Sequence, residues 1–240
     1  MLLKTTGIVF RCMKYSETSV ICDIYTREKG LLSFIISGVR KKNAKTHASL
    51  LQIMSLVELV AYVSDKKKLH RIKEVKAAHI YISIPFQIQK SAVGQFMTEI
   101  CKNAIREPEK NEELFDFIFR CFVKLDQIKS SISIFHHIFM LKLSAYLGFS
   151  PNLNYSNSKA TFNLREGQFE ASKDLMDCLD RENSAMLFEL LNADLEDSYS
   201  IKIPKVNRQT LLNGIIKYYQ YHIENFKTIQ SHSILHDVLE

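Results

Sequence analysis

The run Leu69-His70-Arg71-Ile72-Lys73-Glu74-Val75-Lys76-Ala77, and the change of texture that follows at Ser83-Ile84-Pro85, divide this chain in two. The run alternates: Leu69, Arg71, Lys73 and Val75 fall on one side, His70, Ile72, Glu74 and Lys76 on the other. The alternation is imperfect, as in an edge or curved strand. It is the last of five short runs rich in Val, Ile, Phe and Tyr, the others being 6–12, 20–25, 31–37 and 53–63. Gly30 closes Arg27-Glu28-Lys29-Gly30 between the second and third runs, where a hairpin needs a residue tolerant of positive φ. Five short strands within the first 80 residues predict a small barrel, a class that includes the five-stranded oligonucleotide/oligosaccharide-binding (OB) barrel.

After Pro85, a residue suited to opening a helix, the pattern is helical. Helices are expected over 85–106, 112–129, 133–147, 184–193, 208–226 and 233–239, with Pro108 and Asn111 as punctuation. The 112–129 segment is apolar on nearly every face and reads as buried. The 133–147 segment stops at Gly148, with Pro151 beyond. Residues 152–172 are polar and predict a short hairpin turning at Arg165-Glu166-Gly167. The expected architecture is therefore α+β in two domains. A five-stranded barrel occupies residues 1–80 and a mainly helical domain with a small hairpin insertion occupies residues 81–240.

Charge follows the same division. Residues 1–80 hold 15 Lys/Arg against 6 Asp/Glu, a balance of +9, and the other 160 residues hold 17 against 20, a balance of −3. A basic barrel has the electrostatic footprint of a polyanion binder. The charge is clumped at Arg40, Lys41, Lys42 and Lys45, then at Lys66, Lys67 and Lys68 with Arg71, Lys73 and Lys76. On turns at a barrel mouth such clusters neutralise phosphates and release counterions without sequence preference; the plainer reading is a solvated loop. Single-stranded bases stack on exposed aromatics. Of Phe10, Tyr15, Tyr25, Phe34 and Tyr62, Tyr15 lies in the most polar surroundings.

Other classes find little support. The start has no apolar leader core, and no stretch reaches the ~18 uncharged apolar residues of a bilayer span. The 5 cysteines, at 12, 22, 101, 121 and 178, contain no CxxC pair and give no disulfide framework, which fits a reducing cytoplasm. His232 and His236 are spaced i, i+4 with His222 nearby, but no Cys or acidic pattern completes a tetrahedral set. His136 and His137 fall on different faces of one helix. No nucleotide-binding, metalloprotease or serine-hydrolase motif occurs, so no catalytic residue, metal or cofactor is assigned.

Short motifs run in order along the chain: Thr6-Gly7-Ile8-Val9-Phe10-Arg11, Tyr15-Ser16-Glu17-Thr18-Ser19, Tyr25-Thr26-Arg27-Glu28-Lys29-Gly30 and Ser37-Gly38-Val39-Arg40-Lys41. Leu147-Gly148-Phe149-Ser150-Pro151 follows, then Arg208-Gln209 with Leu211-Leu212, Tyr218-Tyr219 with His222, and Ser231 with Ser233-Ile234-Leu235. In this order they resemble the RecO family of bacterial DNA-repair proteins over nearly the whole chain. One departure is plain: many family members place two CxxC pairs after the Leu-Gly-Phe-x-Pro element, whereas this chain has no cysteine between Cys121 and Cys178. Residues 152–172 would thus be a zinc-ribbon-like segment without its metal, held by packing and hydrogen bonds.

The resemblance implies a cytoplasmic, nucleoid-associated, non-enzymatic recombination mediator with an N-terminal OB barrel. Such a protein binds single- and double-stranded DNA without sequence preference and anneals complementary strands. It works with RecR and helps load RecA on DNA coated with single-strand-binding protein, whose acidic tail docks on the helical domain. Expected DNA contacts are Arg40, Lys41, Lys42, Lys45, Lys66, Lys67, Lys68 and Arg71, with Arg27, Lys29, Lys14 and Tyr15 behind them. Lys102, Arg120, Lys124 and Lys142 are the candidate cations for the tail. The rivals are an RNA-binding barrel, an adaptor for an acidic protein and a nuclease with an unfamiliar site.

Overall fold

The structure, a computed structural model, describes residues 1–39, 48–64, 66–106, 108–171 and 176–239. The chain forms two compact units. One comprises Met1–Pro85 with Ile105–Asp126, the other Phe86–Ala104 with Gln127–Glu240.

The first unit is built on a closed barrel of five strands: β1 (Leu2–Lys14), β2 (Val20–Thr26), β3 (Gly30–Ile36), β4 (Leu56–Tyr62) and β5 (Leu69–Ala77), in the order β1-β2-β3-β5-β4. All neighbours are antiparallel except β3 and β5, which run parallel with Ser33 opposite Leu69 and Ile35 opposite Arg71. This is the OB architecture the strand count predicts. Inward residues such as Leu3, Val9, Ile24, Phe34, Leu59 and Ile72 fill the lumen. Gly7 faces it too: a Cβ there would stand 2.5 Å from Ile24 Cγ2, so the wall closes only on glycine.

Two bulges shape the barrel. On β1 the register slips between Val9, opposite Ile24, and Arg11, opposite Asp23, leaving Phe10 as the extra residue. Val9 enters the lumen while Phe10 stacks on Tyr25 at 5.6 Å. Tyr25 in turn leans on Phe115 of α1 (Glu112–Gln127). The second bulge explains the imperfect alternation of 69–77. Ala61 faces Ile72 but Val60 faces Glu74, so Lys73 is extra and both Ile72 and Val75 reach the interior.

Helix α1 covers one outer flank of this barrel. Asn111 Oδ1 accepts from Leu114 N at 2.9 Å, an N-cap. The close approach of the preceding segment requires Gly30, whose φ is +65° and whose Cβ would lie 2.3 Å from Glu109 O. At the far end of α1 the buried Asp126 carboxylate accepts from the N–H groups of Ile82, Ser83 and Ile84 at 2.8–3.1 Å and contacts His79 Nε2 at 3.2 Å. Burial opposes ionisation of Asp126. The amides of Ile82, Ile84 and Ser83, with the His79 ring, outweigh it and bring the pKa down to about 2.

The second unit holds α2 (Ile88–Ala104), α3 (Phe135–Tyr146), α4 (Arg181–Asn192), α5 (Lys205–His222) and α6 (Ser231–Leu239). α3 is buried on most faces and packs against α2, α4 and α5. It ends in a Schellman motif: Gly148, at φ +85°, donates to Ala145 O, and Phe149 N donates to Ser144 O.

The small hairpin pairs β6 (Thr161–Asn163) with β7 (Gln168–Glu170). Four sets of contacts hold it. Both ends of the Asn154 amide bond Phe169 N and O at 2.9 Å. Leu164 N and Leu179 N tie 177–179 alongside β6. Phe162 and Phe169 pack with Tyr155, Phe188 and Tyr218. Asp177 binds Lys217 at 3.0 Å, Arg165 at 3.1 Å and the Tyr221 hydroxyl. Those contacts, Tyr221 first, lower its pKa to about 2.

Candidate nucleic-acid interface

The strand registers place six outward side chains in one row across the barrel wall. Met13 lies opposite Ile21, Ile21 opposite Ile35, Ile35 opposite Arg71, Arg71 opposite Tyr62, and Tyr62 opposite Leu2. Cys22, Ile36, His70, Ile72, Ala61 and Leu3, chain neighbours of all but Met13, are buried, which fixes those five as outward; Met13, directly opposite Ile21, shares their side. With strands about 4.8 Å apart the row covers roughly 24 Å as it winds round the tilted wall. Tyr62 and Leu2 are each 55% exposed, and Met13 and Arg71 are exposed as well.

Two basic turns adjoin the row. Next to Met13, the β1–β2 turn is closed by Tyr15 N and Ser16 N donating to Ser19 O. It presents Lys14 and Tyr15, the latter 63% exposed. Beyond Tyr62, the β4–β5 turn is closed by Lys67 N donating to Ser64 O and presents Lys66, Lys67 and Lys68, all exposed. Among the described residues, Lys14, Lys66, Lys67, Lys68 and Arg71 have no carboxylate within ion-pair reach. The adjacent surface of β1, β4 and β5 is different. A cavity of about 330 Å³ there is lined by Lys4, Glu58, Lys73, Glu74 and Lys76. Its charges are largely spent on each other, Lys76 with Glu58 at 2.9 Å and Lys73 with Glu74 at 3.2 Å.

The expected DNA contacts thus separate. Lys14, Tyr15, Lys66, Lys67, Lys68 and Arg71 line or flank the row. Lys29 is half-buried in the β2–β3 turn. Arg27 is engaged: its guanidinium grips Asp116 with two bonds, 2.8 and 2.9 Å, and Glu112 at 2.6 Å, pinning α1 to the hairpin. Arg40, Lys41, Lys42 and Lys45 lie outside the described residues; Val39 before them and Leu51 after them are both buried in the barrel core. Of the aromatics, Phe10, Tyr25 and Phe34 are buried, whereas Tyr62, which its sequence neighbours do not single out, is exposed in the row.

The candidate tail-binding cations also separate. Arg120 and Lys124 lie one turn apart on α1 in the first unit, Arg120 exposed. Lys102 is exposed in the last turn of α2, and Lys142 on α3 pairs with Asp194 at 3.3 Å, both in the second unit. The second unit also gathers the histidines: His136, His137, His232 and His236, with Arg208, surround a cavity of about 20 Å³. His137 Nε2 lies 2.8 Å from Arg208 O. Burial keeps both α3 histidines neutral; His136 is driven well below the usual imidazole range and His137 down to about 4. Among the described residues no group of three or more His, Cys, Asp or Glu side chains is arranged to hold a metal ion. No described helix is long and apolar enough to cross a membrane.

Residues 1–81 match the family model described as Recombination protein O N terminal, and residues 85–229 match Recombination protein O C terminal. A DNA repair protein RecO of Christiangramia forsetii is 33% identical over 239 residues, 99% of each chain. That of Bacteroides fragilis is 31% identical over 242 residues, the full length of both, and that of Phocaeicola vulgatus 30% over 239 residues, 99% of both. A five-stranded barrel followed by a helical region, matched end to end by both halves of one family, shows that this chain belongs to the RecO family of DNA repair proteins.

Proposed function

We propose that this chain is a non-enzymatic recombination mediator that binds single- and double-stranded DNA through its barrel, without sequence preference, and anneals complementary strands. The observation that carries the reading is the row of outward side chains, with Leu2, Met13, Tyr62 and Arg71 exposed, that adjoins two basic turns whose cations have no carboxylate partner among the described residues. Lys66, Lys67, Lys68, Arg71 and Lys14 neutralise phosphates, and Tyr62 and Tyr15 offer π-faces to unpaired bases. Arg40, Lys41, Lys42, Lys45 and Lys29 add positive charge. Base pairing then supplies the specificity that the protein lacks.

In this reading the region after the barrel serves partners: RecR, the C-terminal tail of single-strand-binding protein, and through them RecA. Lys102, exposed in the second unit, is the cation offered to an acidic tail there; Arg120, also exposed, belongs to the first unit. Labelled complementary oligonucleotides test the proposal, with and without single-strand-binding protein. Annealing by the protein alone, without nucleotide or metal, and persisting when the strands are coated, is the expected result. Failure to anneal bare strands removes the function; equal or stronger action on RNA redirects it to RNA handling.

A further inference from the structure

Cys12 on β1 and Cys22 on β2 are direct cross-strand partners. Their Sγ atoms lie 2.6 Å apart, about half an ångström beyond a bonded pair. Opposed residues in an antiparallel ladder have Cα atoms about 4.5–5.5 Å apart, inside the range a disulfide spans. A bond between them therefore needs no rearrangement of the barrel. The surroundings are asymmetric: Cys22 is fully buried in the lumen, while Cys12 is partly open to solvent.

We propose that Cys12 and Cys22 form a peroxide-sensitive dithiol, with Cys12 the attacking sulfur and Cys22 the resolving one. Exposure gives a small polar oxidant access to Cys12 first. The Cys22 thiol donates its hydrogen to Cys12 Sγ, which favours the Cys12 thiolate; the same contact, with burial, pushes the Cys22 thiol up. In the first step the Cys12 thiolate attacks one peroxide oxygen. The O–O bond breaks, hydroxide leaves and Cys12 becomes a sulfenic acid. In the second, Cys22 sulfur attacks Cys12 sulfur, the S–O bond breaks, and the departing hydroxide takes the Cys22 proton as water. Both sulfurs are oxidised by one electron each, and hydrogen peroxide is reduced to water. The other thiols are differently placed: Cys101 and Cys121 are buried in helices, and Cys178 faces the Glu170 carboxylate at 3.9 Å.

The test treats the reduced full-length chain with one equivalent of hydrogen peroxide, then alkylates it under denaturing conditions and measures intact mass and linked peptides. A product lighter by two hydrogens, with two thiols protected, a link mapping to Cys12 and Cys22, and reversal by dithiothreitol are expected. Cys22→Ala should stop at a sulfenic acid on Cys12, trapped by dimedone, and Cys12→Ser should leave Cys22 unreacted. The proposal is overturned if all thiols of the wild-type chain stay alkylatable, or if Cys12 oxidises while Cys22 remains free. Because the wild-type readout stands without either variant, a misfolded variant does not decide the matter. The outcome is also independent of the DNA-binding reading.

Discussion

Tyr62 and Tyr15 are the aromatics of the first 80 residues that stand clear of the protein, and each sits beside a basic turn. Tyr62→Ala is expected to weaken single-stranded DNA binding by about 1–3 kcal/mol, with Tyr62→Phe close to wild type and duplex affinity little changed. Fluorescence anisotropy on both substrates checks this. Arg71→Ala combined with alanines at Lys66, Lys67 and Lys68 should flatten the logarithmic salt dependence of single-strand binding by roughly 0.7 for each phosphate no longer neutralised. An unchanged slope would remove that turn from the interface. Tyr15 was legible as exposed because Lys14, Ser16 and Glu17 surround it in sequence. Tyr62 was not, since it ends an apolar run whose outward face is set only when β1 and β5 close on either side. Arg27 was illegible for a related reason: Asp116, which occupies its guanidinium, lies 89 residues away.

At the scale of elements, Asp126 shows what one carboxylate does for the end of a helix. Asp126→Ala leaves three amides without their acceptor and should cost about 3 kcal/mol or more of stability, measured by urea unfolding. The hairpin of β6 and β7 is tied by Asn154, by the Asp177 ion pairs and by aromatic packing, so a strong chelator should leave the melting temperature unchanged. Asn154→Ala should speed hydrogen exchange at 168–170 while sparing the barrel. The strand runs, the Gly148 stop and the hairpin were readable because each carries a local signal. The bulges at Phe10 and Lys73 were not: an extra residue looks like a broken alternation until the partner strand shows which position is skipped. Two helix starts carry sequence signals that their apolar stripes obscure. Asp180 caps α4 by accepting from Asn183 N at 2.8 Å, and Pro204 precedes α5, so each helix begins three residues before its apolar stripe suggests.

For the molecule as a whole, mild acid acts differently on the two units. His136 and His137 are held neutral with pKa values below that of the unfolded chain, near 6.5. The unfolded state therefore binds more protons, and the second unit loses stability as pH falls from about 6.5 toward 4. Asp126 has its folded pKa at about 2. Its contribution, about 2–3 kcal/mol, is complete above its unfolded value of about 4 and fades only below that. Hydrogen exchange at pH 5 should show α3 and α6 losing protection while β1–β5 keep theirs; loss in the reverse order would contradict both assignments. The helix 112–127 reads from its pattern as buried, yet the pattern is silent on the partner, which proves to be the barrel. That barrel has no beginning and no end: β1 bonds to both β2 and β4. The small sheet is likewise fenced, by 177–179 along β6 and by Asn154 along β7. Among the described residues the seam between β3 and β5 is short, running from Ser33 to Ile35 against Leu69 to Arg71, so 30–32 and 72–77 lie outside that ladder. Elsewhere round the barrel the main chain is committed to its neighbours, and whatever the wall grasps there it holds with side chains.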